Sequence, residues 1–223
     1  MNYLVFIPYT LIALGIVLGF LRVCPAMIAW GVCAIGVLVG IAIAVTLLVS
    51  SGFGSFAPAL ISAIPAIIAV CMVVKDLSYP RLNDVTTDVE NPPQFNKAQE
   101  AAPNLGRNMT FPERFGPIIR TGYPDLKPLI IDQTPEQAFK QLNNLALDQA
   151  GWVITNHDAM EGMLEGEATT SVLGFIDDFV IRVTDQNGKA CIDMRSKSRE
   201  GLVDAGKNAN RIRSFFDQVL NRL

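Results

Sequence analysis

Hydrophobic positions run almost without interruption through the first third of the chain and become periodic after it. Three apolar runs, about residues 3–21, 26–49 and 56–74, each approach the roughly 20 residues that a helix needs to cross a bilayer. Pro25 marks the first junction, and Ser50-Ser51-Gly52-Phe53-Gly54-Ser55 predicts a tight polar loop at the second. Pro8 and Pro65 fall inside spans, where they bend a helix without excluding it from a membrane. Gly15 with Gly19, and Gly36 with Gly40, have the small-xxx-small spacing of closely packed membrane helices. That spacing serves packing of the three helices on one another or, alternatively, an oligomer or a membrane-protein partner.

Beyond residue 75 the pattern shortens. Leu129 to Asp132 reads as a strand, and Thr134-Pro135-Glu136-Gln137 is a capping box with proline at the first helical position. Phe139, Leu142, Leu145 and Ala146 give that helix a buried face, and Gly151 follows its end. Strands are expected at 152–156 and about 163–170. A loop over 171–177 precedes a strand on which Phe179, Ile181 and Val183 alternate. Asp185-Gln186-Asn187-Gly188 signals a hairpin, and the return strand alternates Ala190, Ile192 and Met194 with Cys191, Asp193 and Arg195.

In the closing helix Ala205, Ala209, Ile212, Phe216 and Val219 form an apolar stripe, bordered by Asp204, Asn208, Arg211 and Phe215. The order β-α-β-β-β-β-α predicts an α+β domain, a mostly antiparallel sheet with two helices on one face. The opposite face carries Arg182, Asp193 and Arg195, and is either solvated or covered. The expected organisation is a three-span α-helical membrane anchor over 1–75, an extended proline-rich arm over 76–128, and the α+β soluble domain over 129–223. Eight of the 13 prolines lie between Tyr79 and Pro128, opposing regular structure there. Phe95, Phe111, Phe115, Ile118, Ile119 and Tyr123 make that stretch too apolar for a free linker, so it is expected to lie across the domain surface.

Charge sharpens the division. Arg22 is the one charged residue before Lys75, and the remaining 17 basic and all 21 acidic residues follow, a local net charge of −4. A mildly acidic domain excludes nucleic acid as a partner, since phosphate neutralisation needs a concentrated basic face. The absence of ionisable groups within the spans argues against a transporter or channel. Four scattered cysteines and one histidine provide neither a disulfide framework nor a metal cluster, and no cofactor is implied. Asp84, Asp88 and Glu90 lack the alternation of a calcium loop and read as a solvated acidic turn. His157, in a predicted turn, has no evident nucleophile, so no catalytic residue is assigned. Asp177 and Asp178, adjacent at a strand start, point to opposite faces and form no acid–base pair.

The strongest constellation lies where the last strand meets the closing helix. Arg195, Ser196, Ser198 and Arg199 precede a helix N-terminus and, with Arg211, have the chemistry to hold a carboxylate, sulfate or lipid phosphate. The structural alternative makes Asp204 a cap for the helix start and Arg211 a tie to the sheet through Asp193 or a carbonyl. Arg195, Ser198, Arg199, Asp204, Asn208 and Arg211 are the candidate ligand-binding residues.

The blocks DVTTDVENPPQF, YPDLKPL, TTSVLGFIDDFVIRV and DMRSKSREGLVDAGKNANRIRSF resemble the bacterial family catalogued as domain of unknown function 1499, in its three-span form. The resemblance implies no activity, ligand or catalytic residue. It implies a multi-pass protein of the cytoplasmic membrane with the domain and the Arg22 loop outside, in the periplasm. Arg22, Lys75 and Arg81 by themselves favour the opposite orientation. The functional expectation is a non-enzymatic envelope domain that binds a partner protein or small amphiphile. Its alternatives are an accessory subunit of a larger membrane complex and a hydrolase acting on lipid or cell-wall material.

Overall fold

The computed structural model describes residues 3–222, apart from the Phe53 side chain, so the expected outer bounds at Met1 and Leu223 lie outside the described residues. After a 3-10 turn at Tyr3–Phe6, the apolar runs form α1 (Ile7–Phe20), α2 (Ala26–Ser51) and α3 (Phe56–Asp76), all long and apolar enough to cross a membrane. The second junction is helical rather than a loop: α2 continues to Ser51, and Gly52, at φ +58°, turns the chain into a 3-10 segment through Ser55. Such a φ suits glycine because it has no Cβ to clash.

Gly15 lies against Cys33 and Ala29, Gly36 against Ile12 and the Pro8 carbonyl, and Gly40 against the Ser62 carbonyl. These three glycines are buried between helices of the same chain, the packing use of the motif, while buried Gly19 lies against Leu173 of the 170–175 loop and Ala29 of α2. Internal packing groups these helices with the loop Thr170–Phe175 as one unit, and groups Tyr79–Thr169 with Ile176–Leu223 as the second.

The second unit is the α+β domain. In order come β1 (Asp84–Thr86), α4 (Phe115–Gly122), β2 (Leu129–Ile131), α5 (Pro135–Leu147), β3 (Trp152–Asp158), β4 (Met163–Thr169), β5 (Ile176–Gln186), β6 (Lys189–Ser198) and α6 (Lys207–Asn221). The sheet runs β1-β6-β5-β4-β3, with β2 pairing a second stretch of the same edge of β6, and all pairings are antiparallel. The capping box at Thr134 and Gln137 starts α5 as expected. Asn187 and Gly188, both at positive φ, close the β5–β6 hairpin.

One face of the sheet carries Phe179, Ile181, Val183, Ile192 and Met194, which join Phe139, Leu142 and Leu145 of α5 and Ala209, Ile212 and Phe215 of α6 in the main core. The buried face of α6 differs from the predicted stripe. The helix starts at Lys207, after Ala205 and Gly206 have both taken positive φ, and it buries Phe215 more deeply than Phe216. The Phe215 ring stacks 5.3 Å from Trp152, whose ring lies 4.2 Å from Phe179. The supposed edge residue is thus a central one.

The proline-rich segment also departs from expectation. It does not merely drape over a finished domain. It supplies β1, α4 and buried Leu82, Val85, Phe111, Phe115, Ile119 and Tyr123 to the main core, while Phe95, Ala98 and Met109 form a smaller core with Met163 and Val180. Proline prevents long regular elements here, yet the apolar side chains still bury. The sheet face bearing Asp193 and Arg195 is therefore covered, and the domain fold includes residues from Tyr79 onward.

Candidate functional site

Strand alternation sends the polar residues of β6 to both sides of the sheet. Ser196 and Ser198 face α6; Asp193, Arg195 and Lys197 face the proline-rich segment. The predicted constellation is consequently two clusters.

On the α6 side, Asn208 is fully buried and central. Its Oδ1 accepts from Ser196 Oγ at 2.8 Å and from Arg211 at 2.7 Å, and its Nδ2 donates to Ser198 Oγ at 3.0 Å. Arg211 also pairs with Asp177 of β5. It therefore ties the helix to the sheet, but through Asp177 rather than Asp193. The Asp204 carboxylate accepts the backbone N–H of Gly206 and of Asn208, both at 2.9 Å, and so occupies the positive end of α6 that an anion would need. Burial, partly countered by these bonds, pushes the Asp204 pKa up.

On the opposite face Arg195 and Asp84, each 0% exposed, form a two-pronged pair, Nε to Oδ1 at 2.9 Å and Nη2 to Oδ2 at 2.8 Å. Lys197 adds a third bond to Asp84 at 3.0 Å. The guanidinium donates further to the carbonyls of Pro93 and Met109, and lies over the rings of Phe95 and Phe111. A planar, always-charged fork suits this position and a lysine would not. Nearby, Arg199 grips Asp178 and Glu167, while Asn104 donates to Asp178. Burial alone would lower the Arg199 pKa, but the two carboxylates outweigh it and hold it raised. Glu165 accepts the backbone N–H groups of Asn96, Lys97 and Ala98, and Arg182 links Asp193 with Asp88.

Of the six predicted residues, Ser198, Asp204, Asn208 and Arg211 come together, while Arg195 and Arg199 sit in separate ion pairs across the sheet. The residues missed were Asp84, Glu165, Asp177 and Asp178, while Ser196 of the predicted constellation joins the Asn208 cluster. Acidic residues within β-strands signal obligatory partners, since burying an unpaired charge is prohibitive. The alternation argument applied to Asp177 and Asp178 would have sorted Arg195 from Ser198 in the same way.

Residues 84–219 match a family described as protein of unknown function, DUF1499. The chain belongs to this family. No curated protein matches the chain. The DUF1499 region spans every strand of the domain and both polar clusters.

Chemically, the carboxylates of both clusters are all engaged, and the one buried polar atom left without a partner there, among the described residues, is Nε of Arg182. Among the described residues no group of three or more His, Cys, Asp or Glu is placed to hold a metal ion. Burial, followed by the charge of Asp193, pushes the Cys191 thiol up, away from thiolate reactivity. His157 is exposed and lies edge-on to Phe139 at 5.0 Å. Open space is found elsewhere: a cleft of about 500 Å3 lined by Glu90, Gln94, Thr110, Phe111, Glu113 and Arg120 among others. Arg120 pairs with Glu90 at its rim, and both side chains are exposed.

Proposed function

We propose that this DUF1499 protein is a membrane-anchored binding domain without turnover, that the domain lies outside the cytoplasmic membrane, and that a partner protein or small amphiphile engages the cleft between the β1–α4 segment and α4. The observation that carries this reading is the saturation of the interior carboxylates. Asp84, Asp178, Asp193 and Glu165 are each engaged by a cation, a side-chain donor or backbone N–H groups. A general base must be free to take a proton from a substrate, and these carboxylates are committed to holding the fold. The cleft, by contrast, offers carboxylates, an amide, a hydroxyl and a guanidinium to solvent beside apolar Val89 and Phe111, the mixture that orients a ligand without reacting with it. Anchoring raises the effective concentration of anything else held at the same membrane, so modest affinity suffices.

The test is photo-crosslinking of the full-length protein in intact cells from positions 94 and 113. Capture of one specific protein or lipid, lost in an Arg120→Glu variant, supports the proposal. Capture of a subunit of a membrane complex selects the accessory-subunit alternative. Hydrolysis of lipid or peptidoglycan fragments by the purified protein, abolished in Glu113→Gln, overturns binding without turnover and restores the hydrolase alternative.

A further inference from the structure

Among the described residues, two large apolar side chains of the second unit are nearly bare, and they lie at opposite ends of the sheet. Met160, 98% exposed, is in the β3–β4 turn; Leu202, 85% exposed, is in the β6–α6 loop beside Val203. The ladder defines the two ends, with Met163 opposite Arg182 at one and Asp177 opposite Ser198 at the other. At about 3.3 Å per residue, these ends, five residues apart on β5, are roughly 17 Å apart.

The Leu202 loop is fastened to the start of the unit. Asn83 donates to the Gly201 carbonyl and the Asp204 N–H to the Leu82 carbonyl, both at 2.8 Å, and Gly206 lies against the Tyr79 ring. Tyr79 is the third residue after Asp76, where α3 ends, and the intervening residues stay in a tight turn through Leu77 N–H to Val73 O and Ser78 N–H to Lys75 O. Three residues reach about 10 Å at most. The segment that holds the loop is therefore leashed to the point where a membrane-spanning helix would leave the bilayer.

We propose that Leu202 and Val203 insert into the interfacial layer of the bilayer. A lone exposed leucine is ordinary on a protein surface. What distinguishes this one is its short covalent leash and its company. Arg81, exposed on the fastened segment, is a residue type that snorkels to lipid headgroups, while Tyr79 holds the segment to the loop. Met160 has neither the leash nor the company and serves as the control. The proposal is independent of what the cleft binds.

The test uses the full-length protein with Cys24, Cys33, Cys71 and Cys191 replaced by alanine, reconstituted in phosphatidylcholine–phosphatidylglycerol vesicles. Leu202→Cys and Met160→Cys each carry a nitrobenzoxadiazole label at an exposed position, so neither disturbs the core. Lipids spin-labelled near the headgroup should quench the label at 202 at least twofold more than that at 160. Iodide on both sides of the membrane should show the reverse order. Equal lipid quenching at the two sites overturns the proposal. So does shielding of position 202 from both quenchers, which would mean that a protein surface covers the loop.

Discussion

Arg195→Met should destabilise the domain by about 3 kcal/mol, and Asp84→Ala should cost more. The order follows from what each change leaves behind. With Arg195 gone, Asp84 keeps Lys197 at 3.0 Å, and the lost terms are the two-pronged pair and the donors to Pro93 and Met109. Breaking a buried ion pair from one side typically costs about 3–5 kcal/mol, and the surviving lysine keeps this case at the lower end. With Asp84 gone, two buried cations face each other without an anion, so the upper end of that range applies. Arg213, whose partner Asp125 is 54% exposed, is the reference; Arg213→Ala should cost no more than about 1 kcal/mol. Urea unfolding of the full-length protein in detergent can be followed by Trp152, which packs against Phe179 and Phe215, in a Trp30→Phe background. A triple Asp84→Leu, Arg195→Met, Lys197→Met variant should lie closer to wild type than Asp84→Ala alone, because an apolar replacement strands no charge. The reasoning fails if Arg195→Met costs no more than Arg213→Ala, or if the triple variant is worse than Asp84→Ala.

Three further outcomes are expected. Arg211→Ala should cost about 1–3 kcal/mol in the same urea assay, because it removes the bonds to Ser196, Asn208 and Asp177; a loss equal to that of Arg213→Ala would refute the tie. Asp204, whose pKa burial raises, holds its proton more tightly folded than unfolded, so its contribution to stability is fully present below about pH 3.9 and is lost as pH rises through the raised folded value. Wild type should therefore lose stability relative to Asp204→Asn across that window, and a pH-independent difference would contradict it. For topology, proteinase added to spheroplasts should degrade a C-terminal tag while cytoplasmic markers survive; a tag protected until lysis would restore the orientation favoured by Arg22, Lys75 and Arg81.

Much of the architecture was legible because it rests on periodicity. The spans announce themselves by length, α5 by Thr134-Pro135-Glu136-Gln137, and the β5–β6 hairpin by Asn187-Gly188. The proline-rich segment was not legible, because β1 is three residues long and Phe95, Phe111 and Phe115 bury at irregular spacing. No repeat reports such burial; only the tertiary surroundings create it. The candidate site was half legible. The helix periodicity correctly placed Asn208 and Arg211 on one line, and Asp204, which lies before the helix, joins their cluster by accepting the Asn208 N–H instead. Taking Arg195 and Arg199 with Ser198 overlooked the two-residue alternation of a strand, which puts them on the other face.

The pairing of β1 with β6 also dictates when this domain can fold. Asp84 and Arg195 are separated by 111 positions, and β2 waits for the same late strand. A chain still being synthesised has no anchor for either short strand until β6 has emerged, and closing so wide a loop is slow. Passage across a membrane, if the domain is exported, thus meets an unfinished chain rather than a folded obstacle. Conversely, a truncation that removes β6 deprives β1, β2 and β5 of a neighbour at once, leaving strand edges open to aggregation instead of a smaller stable remnant.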